Sequence, residues 1–248
     1  MMHIILGLGK TGLSCARYLA KQSIDFIVCD SRKAPPELAT LQQQLPHITV
    51  KCGEFSTQLL CAAKCIIASP GVDLQQPAII AAKKKSIPII GDIELFVRRI
   101  EQPIVAITGS NGKSTVTQLI TDMAFAAGIN VAMAGNIGIP VLDLLTQPPA
   151  ELYILELSSF QLETTYSLNA EVATLLNISP DHLDRYENLM AYAQAKQRIY
   201  HQAKYCIFNN DDNLTIPTVH DNSISFSLQA PHNHQQFGLR NNYLVQGE

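Results

Sequence analysis

Two glycine-rich turns, each preceded by a short apolar run and followed by a helix-like segment, constrain this chain more than any other feature. The first is Gly7-Leu-Gly9-Lys-Thr-Gly12, after His3–Leu6. The second is Thr108-Gly-Ser-Asn-Gly-Lys-Ser-Thr115, after an apolar run at 104–107. A strand that passes through glycine into a helix gathers several backbone N–H groups at the positive end of the helix dipole, which suits a phosphate. Each turn also commits its strand to a βα unit in a parallel sheet.

The rest of the chain keeps that rhythm. Apolar strands are expected at 25–30, 48–51, 65–68 and 87–90, with helices at 11–21, 35–45 and 76–85. Lys83, Lys84 and Lys85 then read as cations at a helix C-terminus rather than as a binding patch. A second series places strands at 104–107, 130–134, 153–157, 172–176 and 205–209, with helices at 113–127, near 141–145 and at 189–201. Past Asp211 the chain turns polar, with short strand-like pieces at 223–227 and 243–246. The predicted fold class is α/β. A Rossmann-like parallel-sheet domain spans 1–92, and a P-loop α/β central ATPase domain spans 93–248, incomplete at its C-terminal end.

Composition removes several classes. With 18 Lys and Arg against 21 Asp and Glu the formal net charge is −3, which argues against a nucleic-acid binder driven by a basic face. Apolar residues make up 47%, enough for a buried core. No run of about eighteen apolar residues occurs, so no membrane span is expected. The N-terminus superficially resembles a signal peptide, but Lys10 interrupts its apolar stretch and it reads as mature structure. The six cysteines contain no CxxC pair and read as free thiols in a reducing cytoplasm.

The two turns differ in what they specify. The first fits GxGxxG, and Asp30 ends the next strand about where a dinucleotide fold keeps its ribose-binding acid. NAD, another nucleotide diphosphate, and a purely structural glycine turn all remain open for it. The second departs from GxxxxGK[ST], because Ile107 occupies the first glycine position and only the Gly112-Lys-Ser-Thr115 end matches. Its Lys113 can still reach terminal phosphates, and a hydroxyl can hold Mg²⁺. Glu156, at the C-terminal end of an apolar strand, reads as a metal-related carboxylate or a cap. His182, in Pro180-Asp-His-Leu-Asp-Arg185, reads alone as a satisfied loop histidine or a ligand. Lys196 reads alone as a solvated surface lysine.

Taken together, Thr108–Thr115, Gly135-Asn-Ile-Gly138, Glu156-Leu-Ser-Ser-Phe-Gln-Leu-Glu163, Asp181-His-Leu-Asp-Arg-Tyr186 and Ala195-Lys-Gln-Arg-Ile-Tyr200 resemble the Mur ligases, ATP-dependent amide-forming enzymes of peptidoglycan synthesis. The likeness runs from Ile4 to about Phe208. Gly91-Asp-Ile-Glu-Leu95 and the Ser158-Ser-Phe-Gln-Leu-Glu163 run point to the branch whose substrates are UDP-N-acetylmuramoyl-L-alanine, ATP and D-glutamate. The resemblance implies a UDP site at the first loop, formed by Lys10, Thr11, Asp30, Ser31, Arg32, Ser69 and Gly71. It implies ATP at Gly109, Ser110, Asn111, Gly112, Lys113, Ser114 and Thr115, and muramoyl contacts from Asn136, Gln161 and His182. Two Mg²⁺ ions are implied, one on Ser114 and Glu156 and another on His182 and a carbamylated Lys196, with Lys113, Glu156, His182 and Lys196 as the catalytic set. It further implies a cytoplasmic monomer without nucleic-acid or membrane partners. The family's C-terminal amino-acid-binding domain has no counterpart in these residues.

Overall fold

The computed structural model describes residues 2–218 and 222–248. The chain forms two compact units. One comprises residues up to Ile100 together with Ile139–Pro148; the other comprises Glu101–Gly138 and Pro149–Glu248.

The first unit is built on five strands, β1 (His3–Leu6), β2 (Phe26–Asp30), β3 (Val50–Cys52), β4 (Cys65–Ala68) and β5 (Ile89–Ile90), all parallel in the order β3-β2-β1-β4-β5. β2 and β4 are buried at every position, as continuous apolar strands covered on both faces should be. The helices are α1 (Lys10–Lys21), α2 (Leu38–Gln44), α3 (Thr57–Leu60), α4 (Pro77–Lys84) and α5 (Asp92–Val97). Ile4, Leu6, Ile27 and Ile66 meet Leu60, Ile79 and Ala82 in one apolar cluster. β1 pairs with β2 on one side and β4 on the other, so the order in which strands are added reverses around it. The loop after β1 therefore opens into the crevice where such sheets bind ligands.

Residues 139–148 return to this unit. Their 3₁₀ segment, Val141–Thr146, packs against α1 and α5. Asp143 accepts from Ser14 Oγ at 2.7 Å and from Arg17 Nη2 at 2.6 Å.

The second unit carries β6 (Ile104–Thr108), β7 (Val131–Gly135), β8 (Leu152–Glu156), β9 (Val172–Leu175), β10 (Tyr205–Asn209), β11 (Ser223–Phe226), β12 (Gln236–Arg240) and β13 (Tyr243–Gln246). Their order is β13-β12-β11-β10-β9-β6-β8-β7, parallel except for the antiparallel pair β12–β13. β6 lies between β8 and β9, a second reversal of strand order, again with a glycine loop at its end. The helices are α6 (Lys113–Ala126), α7 (Ser159–Glu163) and α8 (Leu189–Gln197).

The expected helix at 189–201 ends at Gln197 and tightens into a 3₁₀ turn over Arg198–Tyr200, where Arg198 donates to the carbonyls of Leu162 and Thr165. The expected helix near 141–145 is 3₁₀ rather than α. β12, α3, α5 and α7 were not expected, being short or lying in polar sequence. All six cysteines are free. Among the described residues, no helix is long and apolar enough to cross a membrane.

Candidate functional site

In the first unit the loop after β1 is shaped by glycine for steric reasons. Gly7 has φ +87°, and a methyl added at Gly12 would overlap the Gly7 carbonyl oxygen. Ser69, just after β4, donates from Oγ to that same carbonyl at 3.0 Å. Asp30 is 1% exposed. Its Oδ2 accepts from Leu8 N at 2.6 Å and Arg32 Nη2 at 2.6 Å; its Oδ1 accepts from Arg32 N and Nε, both at 2.8 Å. Burial alone would raise its pKa, but the Arg32 bonds and the backbone amides outweigh that and hold it below the usual value. These four bonds fill the carboxylate's acceptor positions. Asp30 thus shapes the loop through Leu8 and fixes the guanidinium of Arg32. Lys10, Ser31, Arg32 and Gly71 are exposed around it, with Thr11 half-buried.

In the second unit β6 leads through Gly109–Gly112 into α6. Gly112 takes the left-handed conformation at the helix N-cap, φ +78°. The loop is pinned from the segment after β9. Asn177 Oδ1 accepts from Asn111 N at 2.9 Å and its Nδ2 donates to Asn111 O at 3.0 Å, while Ser110 Oγ accepts from Ser179 N at 2.9 Å. Lys113 folds back and donates to the carbonyls of Gly109 at 2.9 Å and Ser110 at 3.0 Å. Ser114 and Thr115 are exposed at the start of α6. Ser114 Oγ donates to Glu156 Oε2 at 2.7 Å, and Asn136 Nδ2 donates to Glu156 Oε1 at 2.8 Å. Close approach of β7 to β8 makes this possible: a methyl at Gly135 would overlap the Glu156 carbonyl oxygen, which accepts from Asn136 N at 2.8 Å.

Lys196 is 2% exposed on α8, which overturns its isolated reading as a surface lysine. Hydropathy marks a lysine as solvated, but here it points inward beneath the loop. Its Nζ donates to Thr108 Oγ1 at 3.3 Å and lies 4.9 Å from the Tyr192 ring centroid. Desolvation and the nearby Lys113 charge lower its pKa to about 7, against the opposing pull of Asp181 and Glu156. His182 has φ +52° in its loop, with Nε2 3.5 Å from Asp181 Oδ2. Its ring lies 4.9 Å from Phe160 and 6.3 Å from Tyr192. Gln161 is 3% exposed and its Oε1 accepts from Ser158 N at 3.0 Å, closing a capping box at the start of α7.

Ser114, Glu156 and Asn136 are thus directly bonded, with Lys113 and Lys196 in electrostatic reach, whereas His182 joins them through the aromatic ring of Tyr192. Among the described residues no three His, Cys, Asp or Glu side chains cluster to hold a metal ion. The Ser114–Glu156 pair nevertheless offers a hydroxyl and a carboxylate, the hard oxygen donors Mg²⁺ takes. Asn177, Ser179 and Tyr192 were missed. The only sequence signal for the first two is their place just after a strand beside the loop.

One parallel and one largely parallel sheet, each with a glycine loop where its strand order reverses, and a lysine–hydroxyl–carboxylate group at the second loop define a nucleotide-binding α/β protein. A profile for the Mur ligase MurD-like N-terminal domain matches residues 1–91, and one for the Mur ligase middle domain matches residues 107–244. The chain belongs to the Mur ligase family. It is 52% identical over 240 residues to UDP-N-acetylmuramoylalanine--D-glutamate ligase of Pseudomonas fluorescens, covering 96% of this chain and 53% of that protein. It is 51% identical to the Shewanella violacea protein of the same name, covering 99% of this chain and 55% of that one. The chain therefore spans about half the length of these relatives. The fold is shared with UDP-N-acetylmuramate:L-alanyl-gamma-D-glutamyl-meso-diaminopimelate ligase from Neisseria meningitides, with TM-score 0.59 and 16% identity over 99% of this chain and 84% of that one.

Proposed function

We propose that this chain carries the UDP-substrate and ATP-binding parts of a ligase that joins D-glutamate to UDP-N-acetylmuramoyl-L-alanine, releasing ADP and phosphate. The observation that carries this reading is the Ser114–Glu156–Asn136 contact at the mouth of the loop that presents Lys113. The name of its relatives at about half identity supports the choice of substrates.

A carboxylate is a poor acylating agent. Transfer of the ATP γ-phosphoryl group to the L-alanyl carboxylate would give an acyl phosphate. The D-glutamate amine would then form the C–N bond as phosphate leaves with the C–O bonding pair and the amine loses a proton. Residues 109–115 bind the ATP phosphates through their amides, and Lys113 exchanges its two carbonyl partners for phosphate oxygens. Lys10, Thr11, Asp30, Ser31, Arg32, Ser69 and Gly71 hold the uridine diphosphate, with Asp30 acting through the parts it orders. Asn136, Gln161 and His182 orient the muramoyl end.

Ser114 and Glu156 would hold one Mg²⁺, and His182 with Lys196 a second; the ions neutralise phosphate oxyanions. Lys196 fits that role only as a carbamate, because an ammonium repels a cation. A lysine whose pKa falls to about 7 keeps much of its amine uncharged and open to CO₂. On the same reading the protein is a cytoplasmic monomer, and these 248 residues by themselves bind substrate without ligating it. Calorimetry with UDP and with UDP-N-acetylmuramoyl-L-alanine tests the binding half: silence from both, on folded protein, rejects the reading. D-Glutamate-dependent phosphate release, compared with a full-length relative, tests the rest; equal rates would reject the split between binding and ligation.

A further inference from the structure

Thr108 closes β6, an interior strand of the second sheet, and is fully buried. Its backbone is fixed by the ladder to β9 and by Leu176 N, which donates to Thr108 O at 3.0 Å. Its hydroxyl carries a single proton, and that proton is committed: Oγ1 donates to Leu157 O at 2.6 Å. Toward Lys196 Nζ, 3.3 Å away, the oxygen therefore has only lone pairs to offer. Whatever form Lys196 takes, one of its N–H bonds must face Thr108.

We propose that Thr108 is a positioning residue that fixes the direction of the Lys196 carbamate. The inference rests on the carbamylation proposed above. In that reaction the amine lone pair forms an N–C bond to CO₂, one C=O π pair moves onto oxygen, and a proton leaves nitrogen for water. The product nitrogen is planar and keeps one hydrogen. With the side chain entering from α8 beside Tyr192 and its N–H held on Thr108, the carboxylate takes the remaining planar position on nitrogen. That position points away from Thr108. A hydroxyl donor in place of this acceptor would pull the carboxylate toward itself; Thr108 cannot do so, because Leu157 O has its proton.

The test uses the 248-residue chain, ¹⁵N-labelled at lysine, with ¹³C-bicarbonate and Mg²⁺. Lys196→Arg assigns the carbamate signal by removing it. In the wild type the carbamate N–H should show a nuclear Overhauser contact to the Thr108 side chain. Thr108→Ser, which keeps the hydroxyl, should retain the signal. Thr108→Val, which keeps the shape without the acceptor, should need about fivefold more bicarbonate for half occupancy, the worth of one hydrogen bond. A wild-type carbamate that lacks the Overhauser contact, or forms equally well in Thr108→Val, overturns the positioning role and leaves carbamylation standing. No carbamate in the folded wild type overturns both. The wild-type contact needs no variant, so an unfolded Thr108→Val does not blunt the test.

Discussion

Ser114 Oγ donates to Glu156 Oε2 at 2.7 Å, bringing the first turn of α6 and the end of β8 onto one pair of oxygens. The two residues lie far apart in sequence and meet because β6 and β8 are neighbours. Glu156→Gln keeps the shape and removes the charge. It should shrink the strengthening of ATP binding by Mg²⁺ roughly 10- to 100-fold, the worth of a charged contact. Calorimetry with and without Mg²⁺ reads this directly; an unchanged Mg²⁺ effect would exclude Glu156 as a ligand.

Lys113→Ala should remove most triphosphate affinity, because alanine cannot replace a point charge at the terminal phosphates. The native fold should survive, since Lys113 donates only to two loop carbonyls at its own helix start. ATP binding unchanged in a folded variant would count against the role.

Asp30→Asn should weaken UDP binding about tenfold while leaving ATP binding alone, because the bidentate hold on Arg32 is lost. Asp30 also has a depressed pKa. Its stabilising contribution is present above the unfolded carboxylate value and disappears as pH falls through the folded one. The wild type should therefore lose its stability advantage over Asp30→Asn in acid, as urea titrations across that range would record.

Asp92 behaves in the opposite sense. It is 3% exposed, Oδ1 finds no hydrogen-bond partner among the described residues, and desolvation raises its pKa from 3.8 to about 6 despite two backbone amides. The folded state then holds the proton more tightly than the unfolded state, so stability falls as pH rises through that window. Linkage sets the loss at roughly 3 kcal/mol. Asp92→Asn should abolish this decline. Parallel pH profiles of the two proteins would refute it.

Two of the three glycines of the first loop, Gly9 and Gly12, separate folding from binding. Gly12→Ala drives a methyl into the Gly7 carbonyl and should cost about 1–3 kcal/mol or more, with loss of UDP binding. A methyl at Gly9 meets nothing within 4 Å. Gly9→Ala should melt near the wild type yet bind UDP more weakly, because on the proposed reading the methyl would stand where the diphosphate approaches. Equal melting temperatures for both variants would break this contrast.

Both glycine loops and the parallel strands behind them were legible because apolar runs and glycine punctuation are local signals. Strand order was not, since it depends on which runs pair across long separations. Lys196 shows the limit most clearly. Local hydropathy does not distinguish it from a surface lysine, and only the resemblance carried by Ala195–Tyr200 marked it out; in the fold it lies against Thr108 and Tyr192, the former from a distant strand. β12 was missed because its Gln and Arg ends hide a short alternating strand in polar surroundings. Asp30 was read as a ligand contact, and its spacing could not reveal that Arg32 and Leu8 already fill its oxygens.

The return of residues 139–148 to the first unit bears on how that unit is made. Its five strands are synthesised by Ile90, but Asp143, which takes Ser14 and Arg17 on α1, follows only after β6, α6 and β7 have been added. On the ribosome the N-terminal sheet must wait, with α1 and α5 uncovered, while the core of another unit emerges. A fragment ending at Ile100 would carry every strand of the first sheet and still leave Ser14 and Arg17 without their carboxylate.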